Sequence, residues 1–191
     1  MKLEPNVIMN TTIENKRLHI FDFDSTLITS DNHQITVTQS DGTVLTLGYI
    51  EWSNYTPLTG DVFDYSALNY LHNPQPVEKV WNIFLQHLHQ KDNVHILTAR
   101  GFGDPLEKYF KEQNLEIKIK CLGIPPGDNN GHHKAKWIND QINDQKFTEV
   151  HFYDDRKDCV VEVANLRNKH PNVVFKVWHV WHARTVQLIE I

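Results

Sequence analysis

The sequence predicts an α/β fold with a doubly wound, mostly parallel sheet at its centre. After residue 75, short apolar runs alternate with segments whose apolar residues recur at helical spacing, and there is no internal repeat. Strands separated by helices form β-α-β units, in which the strands run parallel. The length of 191 residues suits one domain, so we expect a single domain over 1–191 with a small insertion at about 28–75.

The individual elements follow from periodicity. The apolar run Leu18–Phe21 predicts the first strand, and the apolar positions after Pro76 have the spacing of an amphipathic helix. The predicted later elements are a helix over 77–88, a strand over 94–98, a helix around 106–110, a strand over 117–122, a helix near 134–142, a strand over 150–153, a helix over 157–167 and a last strand over 173–180. This order predicts a Rossmann-like sheet.

An insertion is expected directly behind the first strand, because residues 28–93 are far too many for one crossover. Apolar and polar residues alternate over 35–37 and again over 45–49, and Asp41-Gly42 between them is a strong turn signal. We therefore predict a β-hairpin flap, followed by a short helical turn at 63–68.

The flap has two possible roles. Loops at the carboxyl ends of parallel strands border ligands, which favours a lid, whereas a sheet extension that never meets ligand is the alternative. Trp52 and Tyr55 follow the hairpin. Their rings could stack on a base, but a small core inside the insertion is the favoured interpretation.

Composition excludes several classes of protein. No apolar run approaches the ~20 residues of a membrane span, and residues 1–16 are too polar for a secretory signal. The net charge of −5 argues against an extended nucleic-acid surface, although a local phosphate site stays possible. Cys121 and Cys159 are too few for a disulfide framework, so we expect reduced thiols and a cytoplasmic location.

The 12 histidines do not have the spacing of a zinc motif. His132 and His133 precede a predicted helix, and His179 and His182 lie in the terminal stretch 177–182. We expect these side chains to be solvated or hydrogen-bonded.

Two carboxylates follow the first strand directly. Asp22 and Asp24 are separated by one residue, and residues i and i+2 of a strand point the same way. Like charges in so small a volume need a cation between them or a proton on one of them. The pair therefore indicates a metal site or a nucleophile beside a general acid; a solvated acidic turn is the alternative.

Further reactive side chains end other predicted strands. Thr98 ends one strand, and Asp154 and Asp155 end another. All carboxyl ends of a parallel sheet lie at one edge, where ligands bind. We therefore expect these side chains to converge on the carboxylate pair.

A lysine is expected to join them. Lys134 shares a helix face with Ile138 and Ile142, at i+4 and i+8, and that face packs inward. An inward lysine is explained if its ammonium reaches the carboxylates. A surface lysine that snorkels is the alternative interpretation, and Lys136 is the alternative candidate.

The four groups of residues resemble the motifs of the haloacid dehalogenase (HAD) superfamily. Residues 22–26 are similar to its D-x-D-x-T motif, Ile96–Thr98 to its second motif and Lys134 to its third. The fourth motif resembles residues 153–155, followed by Asp158. The hairpin also has a looser similarity to phage and bacterial members of the superfamily that have a small cap and are similar to polynucleotide 3′-phosphatases.

The resemblance implies phosphoryl transfer through an aspartyl-phosphate. Asp22 would be the nucleophile and Asp24 the general acid and base, while Thr98 and Lys134 would bind the transferring phosphoryl group. A terminal 3′-phosphate of a nucleic acid is the preferred substrate, and a nucleotide or sugar phosphate is the alternative. A non-catalytic binding module, a phosphotransferase and a dehalogenase are the other outcomes; Asp24 fits ester cleavage better than dehalogenation.

The resemblance also implies Mg²⁺, which prefers oxygen ligands. Asp22, the backbone carbonyl of Asp24 and Asp154 would bind the ion, with Asp155 or Asp158 acting through water. Arg100, just after the second motif, is expected either to contact the substrate phosphate or to form an ion pair with a helix carboxylate.

Overall fold

The computed structural model describes residues 16–31, 34–124, 128–182 and 186–191. The protein is a mixed α/β structure whose central sheet has six strands, five of them parallel to their neighbours and one antiparallel at an edge. In spatial order the strands are β11 (Val186–Glu190), β10 (Val174–His182), β9 (Glu149–Asp154), β1 (Arg17–Phe21), β7 (Asn93–Thr98) and β8 (Lys118–Cys121). This confirms the α/β class and the mostly parallel sheet.

In the described part of the chain, five α-helices and two short 3-10 helices accompany the strands. The α-helices are α1 (Tyr49–Asn54), α2 (Glu78–His89), α3 (Asp104–Glu112), α4 (Asn130–Gln145) and α5 (Lys157–Ala164), and the 3-10 helices are Ser66–Asn69 and Asn165–Asn168. All four helices expected after residue 75 are present. The last of them is shorter than predicted in its α-helical part, because the 3-10 helix takes over at Asn165.

Helices cover both faces of the central sheet. Leu18 and Ile20 of β1 pack against α4 and α5, and Phe21 packs against α2 and α3. This division follows from the alternation of side chains along a strand. With both faces buried, the middle strands carry nearly continuous apolar runs.

The insertion after the first strand, called the flap from here on, forms two small antiparallel sheets. One pairs β2 (Ile28–Asp31) with β6 (His72–Pro76), and the other places β3 (Ile35–Thr38) between β4 (Val44–Leu47) and β5 (Val62–Asp64). The predicted hairpin of β3 and β4 is confirmed, with Gly42 at a φ of +85° in its turn.

Two sequence-based expectations were wrong. The helical turn predicted at 63–68 starts only at Ser66, because residues 62–64 pair with β3. The strand predicted to be the last, over 173–180, extends to His182 and is followed by the antiparallel strand β11. Within the described residues, no helix combines the length and the apolar character that crossing a membrane requires.

Candidate functional site

The main chain fixes two carboxylates side by side at the carboxyl edge of the sheet. The ladder between β1 and β9 continues one residue past β1, where the Asp22 N–H donates to the Tyr153 carbonyl at 2.9 Å. Asp22 is 6% exposed and Asp154 is fully buried. Their side chains therefore enter the site from neighbouring strands whose relative position the backbone sets.

Asp22 and Asp24 each have a basic side chain as partner. The chain leaves the strand at Asp22 and turns sharply, with Ser25 at a φ of +60° and the Leu27 N–H bonded to the Phe23 carbonyl at 3.0 Å. Asp22 then faces Lys134, and Asp24 faces Arg100. The two carboxylates are neighbours, as predicted, but each has its own basic partner.

Lys134 is buried on α4 and contacts both strand-end carboxylates. Its Nζ donates to Asp22 Oδ1 and to Asp154 Oδ2, each at 2.6 Å. This confirms the predicted reach of its ammonium. The alternative candidate, Lys136, has a side chain that is 69% exposed and pairs with Asp140 on the helix surface.

The charged groups in this cluster shift one another's pKa values. Burial and the carboxylates of Asp154 and Asp24 together raise the pKa of Asp22 to about 7, against the opposing effect of Lys134. Burial also raises the pKa of Asp154. Burial alone would lower the pKa of Lys134, but the two carboxylates hold it well above its usual value. The lysine is therefore cationic, and the cluster still favours additional positive charge.

Asp155 joins Asp22 and Asp154 in a group of potential metal ligands. One carboxylate oxygen from each of the three lies within 4.8 Å of the others. An all-oxygen donor set of this kind suits a hard cation such as Mg²⁺. The side chain of Asp24 is not part of this group.

Asp158, the other predicted acidic residue, lies apart from this group. Its carboxylate forms a bidentate pair with Arg156 at 3.0 Å and is 44% exposed. It occupies the first turn of α5.

Two threonines make hydrogen bonds to neighbouring residues of the site. Thr98 ends β7, is 1% exposed and accepts the Arg100 N–H at 3.2 Å. Thr26 accepts the Asp155 N–H at 2.9 Å and lies 3.2 Å from an Asp155 carboxylate oxygen. Thr26 was not predicted as a site residue, although it is the threonine of the D-x-D-x-T pattern; its contacts join the turn after β1 to the end of β9.

Arg100 connects Asp24 to the flap. Its Nε and Nη2 donate to the two Asp24 oxygens at 2.7 Å, and its Nη1 donates to the Leu68 carbonyl at 2.7 Å. It is 5% exposed. Of the two predicted roles, the ion pair with a helix carboxylate is wrong: the partner is Asp24, in the turn after β1.

A cavity of about 590 Å³ lies over these groups. Asp22, Asp24, Thr98, Arg100, Lys134 and Asp155 line one side of it. The flap lines the other side with Ile35, Trp52, Tyr55, Tyr65 and Leu68. The flap therefore borders the same space as the carboxylates, which excludes a sheet extension remote from the site.

Trp52 and Tyr55 belong to the small core inside the insertion, which was the favoured interpretation. They pack against the small flap core of Ile35, Val37 and Leu47, and they also line the cavity. The Tyr55 hydroxyl donates to Asp61 at 2.6 Å, which fixes its ring in the wall.

Several histidines are hydrogen-bonded, as predicted. His133 pairs with Asp128 at 2.9 Å, His179 Nε2 lies 2.8 Å from the Asp155 carbonyl, and His182 contacts the Ser25 carbonyl. The last two reach the backbone of the site from β10. Sequence reasoning did not place them there, because their position depends on the order of strands in the sheet.

Comparisons with known proteins gave no match to a protein-family model, a curated protein or a solved structure. The chemistry of this site therefore has to be inferred from its own geometry and charge. Its defining features are a buried lysine between two carboxylates, a third carboxylate close by, and a cavity walled by the flap.

Proposed function

We propose that the chain is a Mg²⁺-dependent phosphomonoesterase of the HAD type, with Asp22 as its nucleophile. The observation that carries this proposal is the buried Lys134 ammonium, 2.6 Å from both Asp22 and Asp154. A fixed cation of this kind, beside a cavity at the carboxyl edge of a parallel sheet, is suited to bind a phosphate ester. The strand order β10-β9-β1-β7-β8 supports a Rossmann-like interpretation of the sheet.

In the first half of the reaction, an Asp22 oxygen attacks the phosphorus of the ester. A bond forms between that oxygen and phosphorus, the bond to the ester oxygen breaks, and Asp24 gives its proton to the leaving oxygen. In the second half, water attacks the aspartyl-phosphate while Asp24 takes a proton from it. Phosphate leaves, and both carboxyl groups return to their starting states.

The cations of the site support the ionised nucleophile. Asp22 must be a carboxylate to attack, although burial raises its pKa to about 7. Lys134 favours that charged form, and it would also offset charge on the incoming phosphate. Thr98, which lines the cavity beside it, would donate its hydroxyl to a phosphoryl oxygen.

The acidic group supports a metal site. Asp22, Asp154 and Asp155 would hold Mg²⁺, and the Asp24 carbonyl is the further ligand implied by the HAD resemblance. When bound, the ion supplies positive charge that screens the approach of a dianionic phosphate to a carboxylate cluster.

The pairing of Arg100 with Asp24 supports a coupling between substrate binding and acid catalysis. Both Asp24 oxygens accept hydrogen bonds from Arg100, so Asp24 can carry a transferable proton only after the guanidinium releases one of them. A phosphate dianion in the cavity competes for the same guanidinium. Its arrival would free an Asp24 oxygen beside the leaving group.

The cavity supports a substrate that contains a nucleobase. The rings of Trp52, Tyr55 and Tyr65 in its wall can stack on a base. A 3′-phosphorylated nucleic-acid end is the preferred substrate. A single nucleotide is the second candidate, because about 590 Å³ falls in the usual range of small-molecule sites, about 300–1,000 Å³.

The test is phosphate release by the purified chain with Mg²⁺, measured on 3′- and 5′-phosphorylated oligonucleotides, nucleoside monophosphates, sugar phosphates and p-nitrophenyl phosphate. We expect Asp22→Asn to abolish turnover, since an amide cannot become an acyl phosphate, and EDTA to stop it reversibly. Asp140→Asn, on the exposed surface of α4, is the matched control and should retain activity.

Three results would count against the proposal. Full activity of Asp22→Asn would reject the nucleophile, and undiminished turnover in EDTA would reject the metal. An absence of phosphate release from every substrate would favour a non-catalytic binding module.

A further inference from the structure

A second group of potential metal ligands lies away from the carboxylate edge, between β1, the end of α2 and the start of β7. His19, His87 and Asp92 each place one ligand atom within 4.8 Å of the other two. His19 precedes Asp22 by three residues along the first strand, or about 10 Å of extended chain. The two groups are therefore separate.

His19 is the unusual member of this group. It is fully buried, and neither of its ring nitrogens has a hydrogen-bond partner among the described residues. Its Nε2 lies 3.5 Å from Asp92 Oδ2, in a geometry that makes no hydrogen bond. Buried polar groups are nearly always paired, so an unpaired buried imidazole calls for an explanation such as an ion.

The side chains of His87 and Asp92 face His19 from one side. The ring of His87 stacks on that of His19 with centroids 3.6 Å apart, and His87 Nδ1 lies 3.0 Å from Asp92 Oδ2. Their side chains are 14% and 13% exposed, which leaves an entry path from solvent. Asp92 Oδ2 is thus the oxygen shared by the two rings.

The backbone holds these ligands in place. The Asp92 N–H donates to the His87 carbonyl at 3.1 Å, and Lys91 between them has a φ of +58°. His19 lies on a central strand that pairs with a neighbour on each side. The donor atoms lie within 4.8 Å of one another, whereas the ligands of a tetrahedral zinc ion are ~3.3 Å apart, so binding would draw these side chains closer together.

The surroundings limit what the site can bind. His151 lies behind His19 with ring centroids 4.4 Å apart, and its Nε2 is engaged by Glu149 at 2.8 Å. Arg17 lies 3.9 Å from the other Asp92 oxygen, Oδ1. Among the described residues, the group thus offers two imidazole nitrogens and one carboxylate oxygen, and a water would complete a tetrahedral set.

We propose that His19, His87 and Asp92 form a binding site for a borderline transition-metal ion, with Zn²⁺ the best match. Imidazole nitrogens suit zinc and its neighbours, whereas Mg²⁺ prefers oxygen. The ion would join β1, α2 and the start of β7, and its role is structural. The site does not depend on the phosphatase proposal.

The test is calorimetric titration of Zn²⁺ into the metal-free full chain. Millimolar Mg²⁺ is present to occupy the group of Asp22, Asp154 and Asp155. We expect one zinc ion per chain and a rise in the unfolding temperature. His87→Gln and Asp92→Asn should each weaken binding at least about 100-fold, since loss of even an indirect partner weakens metal sites about 10–100-fold.

His133→Gln is the matched control, because His133 also pairs with an aspartate, at the start of α4. It should bind zinc like the wild type. Both test residues are partly exposed, and far-ultraviolet circular dichroism will verify that each variant is folded. No zinc binding by the folded wild type, or binding that His87→Gln and Asp92→Asn leave unchanged, would overturn the proposal.

Discussion

Lys134 is a buried cation with two carboxylate partners, so the charge balance of the cluster depends on one side chain. Removing one partner of a buried ion pair leaves uncompensated charge in a medium of low polarity. Asp22 and Asp154 would lose their common hydrogen-bond donor, while burial still disfavours their charged forms.

We expect Lys134→Gln to lower the free energy of unfolding by about 3–5 kcal/mol, the usual cost of breaking a buried pair. Urea unfolding at pH 7 measures this change. Lys136→Gln, two positions away on the exposed surface, should stay within about 0.5 kcal/mol of the wild type. Equal effects of the two substitutions would show that the buried contacts do not stabilise the fold.

The inward position of Lys134 could be predicted from sequence, whereas the partners of Arg100 could only be guessed. The spacing to Ile138 and Ile142 places Lys134 on the inward face of α4, and all three are buried. Arg100 finds Asp24 and Leu68 through a tight turn and an inserted flap. Neither contact has a periodicity that a sequence could reveal.

At the level of elements, the guanidinium of Arg100 joins the flap to the site. The Nε and Nη2 groups of Arg100 donate to the Asp24 carboxylate, and Nη1 donates to the Leu68 carbonyl of the flap. Lysine has the same charge but lacks the planar fork, so it cannot make all three contacts at once.

We therefore expect Arg100→Lys to speed amide hydrogen exchange in residues 66–70 by about 10–100-fold, since a hydrogen bond to a charged group contributes about 1.5–3 kcal/mol. Mass spectrometry of peptic fragments measures this rate. Arg167→Lys, which alters an exposed arginine bonded to the Ile191 carbonyl, is the control. Unchanged exchange at 66–70 in Arg100→Lys would contradict the coupling.

Element prediction succeeded where periodicity is strong. The helix α2 buries Val80 and Phe84, members of the apolar stripe read from the sequence. Strand β11 was missed because it is a short edge strand that pairs only with β10, and its five residues carry little alternation of their own. Such a strand is defined by its partner more than by its own pattern.

On the scale of the whole molecule, the convergence of Asp22, Thr98 and Asp154 could be foreseen from topology, since parallel strands bring their carboxyl ends to one edge. The group of His19, His87 and Asp92 could not. It forms where a helix end meets the middle of a strand, and that contact depends on how α2 packs against the sheet.

Stability should also depend on pH through His95, which faces Lys118 on β8 and Trp137 on α4. Burial, with a smaller contribution from Lys118, lowers the pKa of His95 from 6.5 to about 4. A lowered pKa means that the folded state favours the neutral ring. Its contribution is complete above pH 6.5 and is lost as the pH falls toward 4.

We expect His95→Gln to lose less unfolding free energy than the wild type between pH 7 and pH 5, measured by urea unfolding at both values. His72→Gln changes an exposed histidine and should follow the wild type. If His95→Gln and the wild type lose the same amount, burial of His95 does not contribute to acid sensitivity.

The two ends of the insertion join the α/β core at neighbouring points. Strands β2 and β6 run side by side there, and the Val77 N–H donates to the Leu27 carbonyl at 2.8 Å. A segment attached in this way can be lengthened, shortened or exchanged without moving β1 or β7. For the phosphatase proposed above, ligand preference could then diverge during evolution while the carboxylates keep their positions. Grafting a different hairpin onto the same stem would accordingly be a direct route to a new specificity.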